Sequence, residues 1–244
     1  MNIPYFFDTM ETIPEGLGFS HFCGVHIVWL ILFAALAAGC SLWYGKMPAA
    51  GRKRWRFSVT ALILADELFK FLVLLLGGNF SWTYLPLHLC SINVFFIVFH
   101  AWKPGNSLGN FLYAVCLPGA LAALLFPAWN TLPAGNAMHI HSFTAHILLA
   151  LYPLVLTVAG EIRPQIRKLP SSLAILSLLA VAVYPVNLLL DTNFMFLMYA
   201  DRENPLYIFE KLWGNHLWGF PVIIAAVWIV MYLPVALLNR WRKK

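Results

Sequence analysis

Apolar residues run along this chain in stretches too long for the single buried face of a soluble helix. Seven of them, at 22–43, 56–77, 83–102, 108–128, 140–160, 171–190 and 215–237, approach the roughly 20 residues needed to cross a bilayer core. Hydrocarbon offers no partner for a backbone N–H or C=O, so a spanning segment must bond within itself as a helix. The pattern therefore predicts an all-α, polytopic membrane protein: a seven-transmembrane-helix bundle that forms a single transmembrane domain over residues 1–244. No internal repeat is visible. Most connections are short, and only the N-terminal segment and the loop at 191–214 are long enough to cap the bundle.

Composition agrees with the pattern. The chain is 61% hydrophobic and only 11% charged, against roughly 25% charged in an ordinary soluble domain. The net charge of +6 does not point to nucleic acid, because the basic residues form clusters between apolar stretches. Lys46, Arg52, Lys53, Arg54 and Arg56 follow the first stretch, Lys103 the third, and Arg163, Arg167 and Lys168 the fifth, while Arg240, Arg242, Lys243 and Lys244 end the chain. With an odd number of spans these fall on one side. The other side holds Arg202 and Lys211 among Asp8, Glu11, Glu15, Asp191, Asp201, Glu203 and Glu210. The bias of Lys and Arg toward cytoplasmic loops predicts the N-terminus out and the C-terminus in. Trp43, Trp55, Trp82, Trp102, Trp129, Trp213 and Trp241 fall near span ends, where interfacial aromatics are expected. The acidic N-terminal segment predicts a retained first helix rather than a signal peptide. Cys23, Cys40, Cys90 and Cys116 lack metal-type spacing and read as free thiols, so no metal and no other cofactor is expected.

Polar residues inside the spans are the informative exceptions, because each is costly there. Leu87-His88-Leu89-Cys90-Ser91-Ile92-Asn93 places an imidazole, a thiol and an amide in an apolar run. Pro86 reads as the first helical residue, which sets Cys90 a little more than one turn inside a helix. The nearby helix N-terminus favours a thiolate and apolar burial opposes it. Asn93 shares the Cys90 face at i, i+3, whereas His88 points elsewhere. At about 1.5 Å per residue Cys90 lies roughly 12 Å below the outer boundary, and His146 in the fifth span lies at roughly 10 Å. That match makes His146 the first choice of partner for Cys90. Asp66, Glu67 and Lys70 in the second span would each cost about 2.5–3.5 kcal/mol facing lipid at a helix centre. They are expected to face the bundle and pair at i, i+4 and i, i+3. His139, His141, Asn187, Asp191 and Asn193 gather near the same outer boundary with His21, His26 and His216, leaving His100 as the one inner histidine. His139 and His141 lack a third ligand of convincing spacing, so no metal site is read there. Taken singly, each of these has a plain structural reading as packing filler, ion pair or interhelical hydrogen bond. Together they form one layer, which predicts a shared cavity in the outer half and an inner half poor in polar groups.

Several of these residues carry a resemblance. Leu85-Pro86-Leu87-His88-Leu89-Cys90, Phe143-Thr144-Ala145-His146, Arg163-Pro164, Asn187, and Asp191-Thr192-Asn193-Phe194-Met195-Phe196-Leu197 resemble the YwaF-type bacterial integral membrane family. That family is distantly similar to a vertebrate multi-pass acyltransferase that remodels ether phospholipids. The resemblance covers most of the chain, and it implies a bacterial plasma membrane location and lipid substrates. It also implies a cysteine nucleophile at Cys90 and a catalytic histidine at His146. Ile147 and Asp191 depart from the pattern, where relatives often carry Gly.

The leading expectation is a membrane-embedded acyltransferase that moves a fatty acyl chain between lipids through a Cys90 thioester, with His146 as the base. Asn93 and then Asn187 are the candidate oxyanion donors, and His88 is placed to orient a phosphate or the acceptor. His139, Asp191 and Asn193 complete the substrate-orienting set. The alternative is a small-solute or proton-coupled transporter or channel built on Asp66, Glu67, Lys70 and the histidine cluster, in which polar residues should line both halves. A third reading, a non-catalytic sensor or assembly factor, accounts least well for a thiol and an imidazole at equal depth.

Overall fold

The computed structural model describes residues 4–200 and 204–241, with side chains up to 237 in the last segment. Asp201, Arg202, Glu203, Arg242, Lys243 and Lys244, all used in the charge argument, lie outside the described residues, as does the Arg240 side chain. Among the described residues the chain is helical, with no strand. Helix α1 spans Gly24–Lys46, α2 Ala49–Leu76, α3 Leu89–Trp102, α4 Asn106–Phe111, α5 Leu117–Leu125, α6 Ala137–Val158, α7 Leu169–Leu190, α8 Leu206–Trp213 and α9 Gly219–Trp241. A π-helical turn at Leu112–Cys116 joins α4 to α5, so the two form one continuous rod.

Six segments are long and apolar enough to cross a membrane: α1, α3 with its preceding turn, the α4–α5 rod, α6, α7 and α9. Helix α2 has the length, at 28 residues, or about 42 Å by its rise. Its basic first turns and the mid-helix Asp66, Glu67 and Lys70 keep it out of that apolar set.

Helix α6 is the hub. It packs against α1, α2, α3 and α5 and is buried around most of its circumference, as its nearly continuous apolar sequence requires. Its start is fixed by Asn136, whose side-chain oxygen accepts from the N–H groups of Met138 and His139 at 2.9 and 3.0 Å. The same amide donates to the carbonyls of Tyr5 and Asp8, lashing the N-terminal segment across this end of the bundle.

Loops carrying the basic residues gather at one end, hereafter the basic end. Arg56 and Arg52 pair there with Glu161 at 2.9 and 3.3 Å, and Lys168 donates to Ser107 at 3.0 Å. The opposite end collects the N-terminal segment, the 77–88 turn and the 126–136 loop, tied by Tyr84 to Glu11 and Asn79 to the Phe7 carbonyl. Helix α2 runs from one end to the other.

Three local expectations are corrected. Trp55 and Trp129 are buried core residues rather than interfacial ones, whereas Trp43, Trp82, Trp102 and Trp213 are exposed. Helix α3 begins at Leu89 rather than at Pro86, because residues 85–88 form an extended turn and His88 takes the N-cap position. The half of the bundle toward the basic end is not poor in polar groups: Tyr44, Thr60, His100, Asn110, Tyr152 and Ser172 are all buried. Thr60 and Ser172 bond to the carbonyl one turn back in their own helix, whereas Tyr44, His100, Asn110 and Tyr152 have partners on other segments, which spacing along one helix does not reveal.

Candidate functional site

Cys90 is the second residue of α3, one position from the helix start. His88 makes no side-chain cap, and the first bond of the helix runs from the Ile92 N–H to the His88 carbonyl at 2.9 Å. The N–H groups of Leu89, Cys90 and Ser91 therefore have no partner among the described residues, as the first turn of any uncapped helix leaves them. Such groups, with the positive end of the helix dipole, favour negative charge at this spot. Cys90 is closer to that end than the sequence alone predicts.

His146 lies across from it on α6. The Cys90 thiol and the His146 imidazole are neighbours where α3 meets α6, within electrostatic reach of each other. His146 Nδ1–H donates to the Ser142 carbonyl at 2.6 Å, which fixes the tautomer and leaves the Nε2 lone pair to face a proton donor. Trp129 stacks on the imidazole at 5.0 Å with an interplanar angle of 19°. Two contacts thus orient the ring, one at its edge and one on its face. Both Cys90 and His146 are only partly buried, so the pair is not sealed inside the core.

Helix α2 supplies charge beside this pair. Asp66 accepts from the Thr144 hydroxyl at 2.6 Å and pairs with His141 Nδ1 at 2.8 Å. It lies within electrostatic reach of His146, as Glu67 does of Cys90. Glu67 is bound to Lys70, and the two side chains are 15% and 7% exposed. Removing one partner of such a pair would strand a charge in a medium that does not solvate it. The expected i, i+4 contact of Asp66 with Lys70 is not formed, because Asp66 turns toward α6 instead.

The remaining residues divide clearly. Asn93 is buried with its side-chain oxygen unpartnered among the described residues. The His88 ring packs against Phe194 at 5.1 Å and Phe196 at 6.2 Å, beneath the loop that follows α7. His139 is committed elsewhere, accepting from Trp29 Nε1–H at 3.1 Å and donating to the Leu132 carbonyl at 3.0 Å. Asn187 binds the loop after its own helix, accepting from the Phe194 N–H and the Thr192 hydroxyl and donating to the Phe194 carbonyl. Asn193 does the same for Met198 and Tyr199. Asp191 takes the left-handed position that ends α7, at φ 50° and ψ 51°. Their polar atoms shape the loop over His88 rather than face Cys90.

Three neighbours were not joined to this cluster by sequence reasoning. His141 and Thr144 are i, i+3 on one face of α6, a spacing that could have marked them as joint partners of Asp66. Trp129 lies in a loop, and no periodicity could have placed it over His146.

A model of the TMEM164 family matches residues 17–232, a stretch that contains every residue of this cluster. No curated protein and no solved structure gives a significant match to the chain. The chain belongs to the TMEM164 family, and it is a multi-pass integral membrane protein.

Proposed function

We propose that this protein is a lipid acyltransferase whose nucleophile is Cys90 and whose base is His146. The observation that carries the reading is the thiol set beside an imidazole whose other nitrogen is tied to Ser142. In the first half-reaction the thiol proton passes to His146 Nε2, and the sulfur attacks the ester carbonyl of a donor lipid. The oxyanion develops beside the free N–H groups of the first turn of α3; one such donor is worth about 10² to 10³ in rate. Collapse breaks the ester bond, the leaving lipid oxygen takes the proton from His146, and the acyl chain remains as a thioester. In the second half an acceptor hydroxyl gives its proton to His146 and attacks the thioester carbonyl, and the sulfur leaves as the thiolate and recovers that proton. Asp66 opposes the positive charge that His146 carries between these transfers. His88, under the Phe194 loop, orients the acceptor or its phosphate.

The same reading makes α2 the seventh span, with its charges turned into the bundle, and sets the basic end in the cytoplasm with the N-terminus outside. A bacterial plasma membrane and the YwaF likeness belong to it as well. The test is intact mass spectrometry after incubation with phospholipid. Wild type should gain an acyl-sized mass that hydroxylamine removes, and Cys90→Ala should never gain it. Full transfer by Cys90→Ala would end the proposal.

A transporter is favoured by one observation, the second buried polar cluster in the other half of the bundle. Solute flux in reconstituted vesicles that depends on Asp66 and is indifferent to Cys90 would replace the acyltransferase reading.

A further inference from the structure

We infer that the basic end carries a second binding site, separate from Cys90, for a phosphate group: the phosphodiester of a lipid headgroup or a free phosphate anion. A recess of about 360 Å³ opens there between the end of α1, the start of α2 and the segment after α6. Its lining is Met47, Ala49, Arg52, Arg56 and Glu161. The volume is within the range of small-ligand sites.

Four features of the recess call for an anion. The lining carries two guanidiniums against one carboxylate, so one positive charge is uncompensated. Arg56 uses Nη1 for both Glu161 and the Tyr44 hydroxyl, at 2.9 and 3.2 Å, which leaves its Nη2 without a protein partner among the described residues. Arg presents its donors in a planar fork that fits phosphate oxygens. Helix α2 starts here after Pro48 with no side-chain cap and no acidic residue in its first turn. Its first backbone bond is from the Arg52 N–H to the Pro48 carbonyl, so the N–H groups of Ala49, Ala50 and Gly51 are also free.

The position suits a headgroup. Two of the segments long and apolar enough to cross a membrane, α1 and α6, end beside the recess, a position that suits the level where a bilayer turns from hydrocarbon to phosphate. Glu161 has two roles in this arrangement. It holds Arg52 and Arg56 together while the site is empty, and it competes with an incoming phosphate for the same donors.

The experiment is thermal unfolding of the full chain in detergent, titrated separately with dihexanoyl-phosphatidylglycerol, inorganic phosphate, and sodium chloride at matched ionic strength. A saturable rise in the unfolding midpoint with either phosphate compound and not with chloride is expected. A response to the lipid alone identifies a headgroup site, and a response to inorganic phosphate identifies an anion site. Arg52→Gln, the more exposed of the two arginines, should weaken binding about tenfold or more, as should Arg56→Gln. Lys53→Gln, which removes the same charge from the same turn but does not line the recess, should bind as wild type. Glu161→Gln should bind more tightly, an outcome that a merely structural ion pair does not produce. Cys90→Ala should be indistinguishable from wild type, which separates this site from acyl transfer. Absence of a saturable shift, or equal loss in Lys53→Gln and Arg52→Gln, would overturn the inference.

Discussion

The two polar clusters of this bundle use similar residue types to different ends. At the basic end Arg52, Arg56, Glu161 and Tyr44 bond to one another, and His100 Nδ1 is bonded to the Tyr152 hydroxyl at 3.0 Å. Around Cys90 the groups are held by neighbours but keep a reactive position open: the thiol, the second nitrogen of His146 and three backbone N–H groups at the start of α3. A polar group in an apolar surrounding is stabilised only by completing its bonds. The basic-end cluster comes close to that, and Arg56 Nε is its exception. The Cys90 cluster leaves more undone: Asn93 Oδ1 and Trp129 Nε1 are buried without a partner among the described residues, and Asp66 Oδ2 meets His141 Nδ1 at 2.8 Å without the geometry of a hydrogen bond.

The sharpest way to break this comparison is at the reactive atoms. Cys90→Ala should abolish transfer with folding intact, and His146→Ala should lower the rate by about 10² to 10⁴ if it is the general base. Both are read from product formation against circular dichroism of the same samples. The next effect is on stability. Lys70→Met should destabilise by about 3–5 kcal/mol, because it leaves Glu67 charged and buried, and adding Glu67→Leu should recover most of the loss. Chemical denaturation of the single and double variants distinguishes a stranded charge from lost packing, since only the first is rescued. At the basic end Glu161→Gln should cost about 1 kcal/mol or less, since its side chain is 26% exposed and solvent screens the pair. Tyr152→Phe, which deletes the bond to His100, should cost about 1 kcal/mol by the same denaturation measurement. The smallest effect has the opposite sign. Asp191→Gly should stabilise by about 0.5–1 kcal/mol, because Asp191 holds a left-handed conformation that glycine adopts without steric cost.

Much of the bundle was legible because bilayer thickness and hydrogen-bond satisfaction act on composition alone. The six apolar segments lie where the apolar stretches were read. Helix α2 shows the limit: its charges were found, but only packing shows Asp66 turned to Thr144 and His141 while Glu67 stays with Lys70. Depth arithmetic paired Cys90 with His146 and also grouped His139, Asn187 and Asn193 with them. It could not separate the two sets, because residues at one depth can face any side of their helices. The left-handed backbone at Asp191, Met195 and Phe196 turns Asn187 and Asn193 back onto their own loop.

By itself, then, the sequence determined an all-helical membrane chain, its apolar segments and the basic residues clustered between them. Those follow from one-dimensional quantities: the length of an apolar run, the sign of a loop's charge, and the rise of a helix. The tertiary structure alone decided which atoms meet. It moved the start of α3 to Leu89, set Trp129 against His146, and brought Arg56 to Glu161 across more than a hundred residues. Such contacts depend on the rotation of each helix about its axis, which side-chain packing between helices fixes and the spacing of residues along one helix does not.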